Sequence, residues 1–227
     1  MTHMHIPDGV LPVWLWLSGF AVMAAALGLS FYRARSMDMK IKVPLLGALS
    51  AAMLVGMSIP ILPGYHINLT VVTGILLGPS LGMIAAFIVN FILALLGHGG
   101  ITVIGLNTLL LGSETVLGHA FFSVFRRLPL FWRSLCATIL TLFITTTMLI
   151  GIVAVSHLDP AVLHHGEEHA GEVHGGGSLS AFALVVLSVG SVGWLIEAAI
   201  TGAVIRFIAQ VKPDLLVHRL HRSADRS

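Results

Sequence analysis

Two histidines, His3 and His5, stand within five residues of the first methionine, and His5 opens the run His5-Ile6-Pro7-Asp8-Gly9. A free terminal amine, the next backbone amide and a nearby imidazole can chelate one metal ion together. Three nitrogens from one short peptide, completed by a fourth from elsewhere, suit planar Ni(II) or Cu(II) better than tetrahedral zinc. The plain alternative is a polar tail ahead of a hydrophobic span. A further histidine, His66, lies in Gly64-Tyr65-His66-Ile67-Asn68, where the plain reading is an ordinary loop histidine. Asp8 and Asn68 could hydrogen-bond the ring nitrogens of nearby histidines, as metal-bound histidines usually require. Equally, Asp8 suits a turn at Pro7-Asp8-Gly9, and Asn68 suits a cap for a helix starting near Leu69.

A second concentration of metal-capable groups lies at 157–177, with His157, His164, His165, His169 and His174 among Asp159, Glu167, Glu168 and Glu172. The tract ends in Gly175-Gly176-Gly177. Such composition predicts an exchangeable metal-collecting loop rather than a fixed site; the alternative is a solvated polar loop. No His-Glu-x-x-His run occurs, because His165 and His169 bracket Gly166-Glu167-Glu168, so a zincin protease is not indicated. The sequence also contains no Gly-Lys pair and hence no phosphate-binding loop of the usual kind. The single cysteine, Cys136, excludes an internal disulfide. His98 sits among Gly97, Gly99 and Gly100, which favours a structural or gating loop over a ligand.

The elements that must position these groups are hydrophobic. Apolar residues make up 56% of the 227, charged residues 10%, and the mean hydropathy is +0.97. This composition predicts an all-α polytopic membrane protein and excludes an ordinary soluble domain. Seven apolar segments can be drawn, at 10–32, 43–62, 68–78, 80–97, 102–125, 131–156 and 179–210. Residues 68–97 read either as one long helix or as two broken at Gly78-Pro79, since proline disfavours helix in the residue before it. The first segment lacks a preceding basic region and ends in Arg33 and Arg35, so it reads as a retained helix rather than a signal peptide.

Charge sets the expected topology, because lysines and arginines flanking membrane helices accumulate inside. With seven spans and an outside N-terminus, Arg33, Arg35, Lys40, Lys42, Arg126, Arg127, Arg133, Arg206, Lys212, Arg219, Arg222 and Arg226 all fall on the cytoplasmic side. Those are all 12 cations of the chain. The N-terminal segment, His66, His98 and the 157–177 tract then face outward, which suits capture of a cation from outside. The segment 68–78 is too short for a full crossing and is expected to be buried among its neighbours. Within the spans, Asn90, Asn107, Ser113, Glu114 and Glu197 should meet polar partners in the bundle interior, or else line an ion path. The small pairs Ala21/Ala25 and Ala48/Ala52 permit close helix approach, either internally or against a partner.

Met4-His5-Ile6-Pro7-Asp8-Gly9, Gly64-Tyr65-His66-Ile67-Asn68-Leu69-Thr70, Gly74-Ile75-Leu76-Leu77-Gly78-Pro79, Asn90 and Gly97-His98-Gly99-Gly100-Ile101-Thr102, with Gly105 and Asn107, together resemble the NikM/CbiM family. That family comprises the substrate-capturing membrane subunits of nickel and cobalt energy-coupling-factor (ECF) transporters. The resemblance covers most of residues 4–125 and fades beyond. It implies a four-nitrogen site for Ni2+ or Co2+ as transported substrate, built from the Met4 amine, the backbone nitrogen and imidazole of His5, and the imidazole of His66. Amine and adjacent amide close a five-membered chelate ring; that amide and its own imidazole close a six-membered one. Binding releases protons, so affinity should fall in acid.

Three residues, Met1-Thr2-His3, precede the methionine with which the family's motif begins. Translation from Met4 would keep the family's arrangement. Removal of Met1 would put the amine at Thr2, with His3 one register early, and an intact Met1-Thr2-His3 would offer an amine, two amides and an imidazole.

The expected organisation is a single membrane domain over 1–227, with a metal-binding segment at 1–9, an external His-rich loop at 157–177 and a cytoplasmic basic tail at 211–227. The resemblance implies an ECF transmembrane coupling subunit, ABC-type ATPase subunits and often a small accessory membrane subunit as partners, in the inner (plasma) membrane. No catalytic role and no nucleic-acid partner is expected. The competing reading is a stand-alone divalent metal channel or secondary transporter, in which Asn107, Glu114 and Glu197 line the path.

Overall fold

The computed structural model describes residues 11–37, 39–62, 65–156 and 179–217. Among them each of the seven apolar segments contains one helix: α1 (Val13–Ala34), α2 (Met39–Ser58), α3 (Thr70–Leu77), α4 (Pro79–Leu95), α5 (Ile104–Val124), α6 (Leu130–Ser156) and α7 (Leu179–Val211). A one-turn helix, α8 (Asp214–Val217), follows. The all-α expectation needs one amendment. A short antiparallel pair, β1 (Pro60–Leu62) with β2 (Tyr65–His66), joins α2 to α3, pairing Pro60 with His66 and Leu62 with Tyr65.

Four helical stretches are long and apolar enough to cross a membrane: Val13–Ala34, Met39–Ser58, Leu130–Ser156 and Phe182–Val211. Helix α5 is long but less apolar, and its position explains why. It packs against α1, α3, α4 and α6, so Asn107, Thr108, Glu114 and Thr115 turn inward away from lipid. Helix α3 has only eight residues and every one is buried, as expected of a segment enclosed by its neighbours.

The break between α3 and α4 falls at Gly78, with φ 82° and ψ 176°, a conformation open essentially to glycine alone. Pro79 then occupies the first position of α4, where its missing N–H costs nothing. Close helix contact sets the position of α5 against α1. A Cβ on Gly105 would lie 2.6 Å from the backbone carbon of Gly19, so a side chain there would drive the two helices apart. Asn90 of α4 donates to the Ile104 carbonyl at 3.1 Å and to Thr108 at 3.0 Å, a buried polar tie between α4 and α5.

At the other end of α5, Arg133 of α6 is buried. Its Nε donates to the Phe122 carbonyl, and its guanidinium lies 3.7 Å from the centre of the Phe122 ring. A cation therefore meets the unsatisfied carbonyls at the C-terminus of α5, where the helix dipole favours it. The turn from α5 into α6 is closed by this contact.

Candidate metal centre

Of the residues expected to hold the metal, His66 and Asn68 lie among the described residues. Met4, His5, Asp8 and His3 fall in 1–10, and His157, His164, His165, His169 and His174 fall in 157–178; all lie outside the described residues. Among the described residues no group of three or more His, Cys, Asp or Glu side chains is placed to hold an ion.

His66 ends β2 with its side chain half-buried, and the three residues that follow lead straight into α3. This short passage is held from two sides. On one side, Asn68 Nδ2 donates to Glu114 Oε2 at 2.5 Å, and Thr70 Oγ1 donates to the same oxygen at 2.6 Å. Thr145 Oγ1 of α6 donates to Glu114 Oε1 at 3.3 Å and shares its proton with the Leu142 carbonyl at 3.3 Å. Glu114 thus joins the His66 passage, α5 and α6 through one carboxyl group. Asn68 and Thr70 are both 0% exposed, and Glu114 is 4% exposed. Two donors converging on one buried oxygen fix that carboxyl group, since each would be costly to leave unpaired.

On the other side stands α2. A Cβ on Gly56 would come within 2.6 Å of the Ile67 carbonyl oxygen, so only glycine lets the passage lie this close. Leu69, between the two residues bonded to Glu114, adopts φ 57° and ψ 12°. The left-handed conformation costs a non-glycine residue about 1–2 kcal/mol, and the flanking bonds to Glu114 hold it there.

These contacts show where the polar groups named above lie. Asn68 does not cap α3: the N-cap is Leu69, without a side-chain cap bond, and the Asn68 amide reaches Glu114 instead. Glu114 is engaged by polar partners inside the bundle. His98 is exposed in a turn built on Gly97 (φ 82°) and Gly99 (φ 93°). Ala21, Ala25, Ala48 and Ala52 are all exposed, which removes internal packing as their purpose. Sequence reasoning missed Gly56, Thr70 and Thr145 as supports of His66. Thr70 could have been found from its place in the motif beginning at Gly64; nothing local marks the other two.

The first described residue, Leu11, packs beside α5, the helix that carries Glu114. Leu11, 7% exposed, belongs to an apolar cluster with Val103, Leu106, Leu110 and Leu149. Leu110 is one helical turn from Glu114 along α5, on the same face.

Fold and site together define a helical membrane protein with a histidine-bearing passage pinned to a buried carboxyl group of α5. Residues 5–215 match the model of the family described as "Cobalt uptake substrate-specific transmembrane region", and the chain belongs to this family, CbiM. A Haloquadratum walsbyi protein whose name describes metal transport is 32% identical over 237 residues, covering 97% of this chain and 96% of that one. The cobalt transport protein CbiM of Clostridium tetani is 33% identical over 159 residues, covering 64% of this chain and 66% of its own. A protein of Archaeoglobus fulgidus named as a fused nickel transport protein, NikMN, is 29% identical over 215 residues, covering 94% of this chain and 68% of its own. In fold, the chain is similar to the crystal structure of a transition metal transporter, with TM-score 0.75 and 22% identity, covering 96% and 97% of the two chains. A truncated transition metal transporter gives TM-score 0.73 at 23% identity, covering 91% and 99%. The chain is a membrane protein of a cobalt and nickel transport family.

Proposed function

We propose that this chain is the substrate-binding subunit of an ATP-driven ECF importer, capturing Ni2+ or Co2+ outside the cell and delivering it across the plasma membrane. The ion is held in a plane by the amine at the start of the Met4-His5 motif, the His5 amide and imidazole, and His66. Seven spans place the N-terminus outside and the cationic ends of the helices in the cytoplasm. A coupling subunit, a pair of ABC-type ATPases and a small accessory membrane subunit supply the power that this chain, without a phosphate loop, lacks. The exposed Ala21/Ala25 and Ala48/Ala52 pairs offer helix faces for the coupling subunit. The histidine tract at 157–177 concentrates metal near the mouth.

The observation that supports this reading best is the site of exit of the N-terminal segment. Leu11 packs in the cluster of Leu110, one turn from the carboxyl group that anchors the His66 passage. His5 is six residues from Leu11, and six residues span at most about 20 Å, enough to fold back over that passage. Deprotonation of a backbone amide demands a metal with a strong preference for planar nitrogen ligands, which favours Ni2+ over Co2+.

Uptake into proteoliposomes tests the proposal. Nickel should accumulate only when the coupling and ATPase subunits are present with ATP. Uptake by this chain alone would replace the importer with a channel or secondary transporter.

A further inference from the structure

At the end of the bundle where α1 terminates and α4 begins lies a cavity of about 710 Å³, lined by Tyr32, Arg33, Arg35, Ser36, Met37 and Ser80. We infer that this cavity binds the phosphate of an anionic phospholipid, held between Arg33, Arg35 and the first turn of α4.

Three features support an anion here. Arg33 and Arg35 are exposed, and among the described residues neither side chain has an acidic partner or a hydrogen-bond acceptor. Residues 33–42 carry Arg33, Arg35, Lys40 and Lys42 against a single carboxylate, Asp38, which lies outside the described residues. The 17-residue helix α4 also starts at this cavity. Its N-cap, Gly78, has no side chain and its first residue is proline, so no side-chain cap meets the backbone N–H groups of Ser80 and Leu81. Such an uncapped N-terminus carries a partial positive charge and favours phosphate. Most telling is Ser80. It is 5% exposed, lines the cavity, and among the described residues its hydroxyl makes no hydrogen bond. The residue is held in place by burial while its hydroxyl stays open to the cavity, so it is free to meet a ligand oxygen there.

The surroundings select a lipid over a free anion. Phe31 (52% exposed), Tyr32 (72%) and Ile41 (67%) project from the same end of α1 and the start of α2. Apolar and aromatic groups beside a charged cavity at a helix end match the boundary between acyl chains and headgroups. A phosphate seated on Arg33, Arg35 and Ser80 would lay its chains along these residues.

Native mass spectrometry of the full chain released from detergent tests the assignment. Phosphatidylglycerol should be retained at least tenfold over phosphatidylcholine. Arg33→Gln/Arg35→Gln should abolish that preference, each arginine contributing about fivefold near a membrane surface. Both side chains are exposed, so the variant should fold. Ser80→Ala should lower retention a few-fold, whereas Arg126→Gln/Arg127→Gln, altering another exposed cationic pair, should leave it unchanged. The inference is overturned if Arg33→Gln/Arg35→Gln keeps the preference, or if both double variants lose it equally, which would mean diffuse surface charge. Displacement of the lipid by millimolar inorganic phosphate would overturn it in favour of a free-anion site. It also fails if the wild-type chain shows no lipid preference while Arg33→Gln/Arg35→Gln weakens co-purification with the ATPase assembly, since the cavity would then serve a protein contact.

Discussion

Removing the carboxyl group of Glu114 is the sharpest test of how His66 is held. In Glu114→Ala, Asn68 Nδ2 and Thr70 Oγ1 lose an acceptor at 2.5 and 2.6 Å, and both residues are 0% exposed, out of reach of bulk water. Each buried donor left unsatisfied costs about 1–3 kcal/mol, hence about 2–6 kcal/mol for the two. Thr145 adds little, because the Leu142 carbonyl stands at 3.3 Å as an alternative acceptor. Glu114→Gln behaves differently. Its carbonyl oxygen can occupy the Oε2 position and keep both donors, while its amide faces the Thr145 hydroxyl, which can accept. Both donors keep an acceptor, so the loss should be well below that of alanine. The alanine variant should also free Leu69 from its left-handed conformation, moving His66. A displacement costing 2 kcal/mol would weaken nickel binding about 30-fold. Thermal unfolding and nickel titration by calorimetry, run on the same detergent-purified samples, read both effects. Wild-type melting and wild-type affinity in Glu114→Ala would refute the reasoning. Glutamine proving as damaging as alanine would show that charge, not acceptor geometry, is what matters.

His66→Ala should abolish tight nickel binding, and with it the visible absorption of planar Ni(II), while the protein remains inserted; unchanged binding would remove His66 from the donor set. Gly56→Ala places a methyl group 2.6 Å from the Ile67 carbonyl oxygen and should cost about 1–3 kcal/mol through overpacking, lowering melting temperature and nickel affinity together. An unperturbed melting curve would show that α2 does not constrain the passage. Deleting 157–177 should reduce uptake at scarce metal and leave it near normal at saturating metal, as measured by radiolabelled nickel transport; total loss at saturation would place a primary site in that tract.

The apolar segments were legible in the chain because crossing a bilayer is a local requirement: every stretch must be apolar and must satisfy its own backbone by forming a helix. The corner at Gly78-Pro79 was half legible: both residues act on the backbone at their own positions, yet one long helix over 68–97 stayed open, and the structure separates α3 from α4 there. The metal-capable residues announced themselves through type and spacing, in Met4-His5 and in the motif around His66. The short β1–β2 pair was not legible, because two and three residues carry no usable period.

Tertiary structure decided what holds the site. Asn68 and Glu114 are 46 residues apart, and either could have capped a helix or met another polar group. Their union requires α3 and α5 to pack side by side, which depends on close contact at glycines such as Gly74 against the Thr115 backbone. The exposure of Ala21, Ala25, Ala48 and Ala52 likewise follows from which helix faces the bundle leaves uncovered. Sequence alone determined that this chain enters a membrane and which groups can bind a metal ion, because both follow from side-chain chemistry at single positions. Which buried polar group meets which was settled only by folding, because inside a bundle each unsatisfied donor must find an acceptor wherever packing brings one.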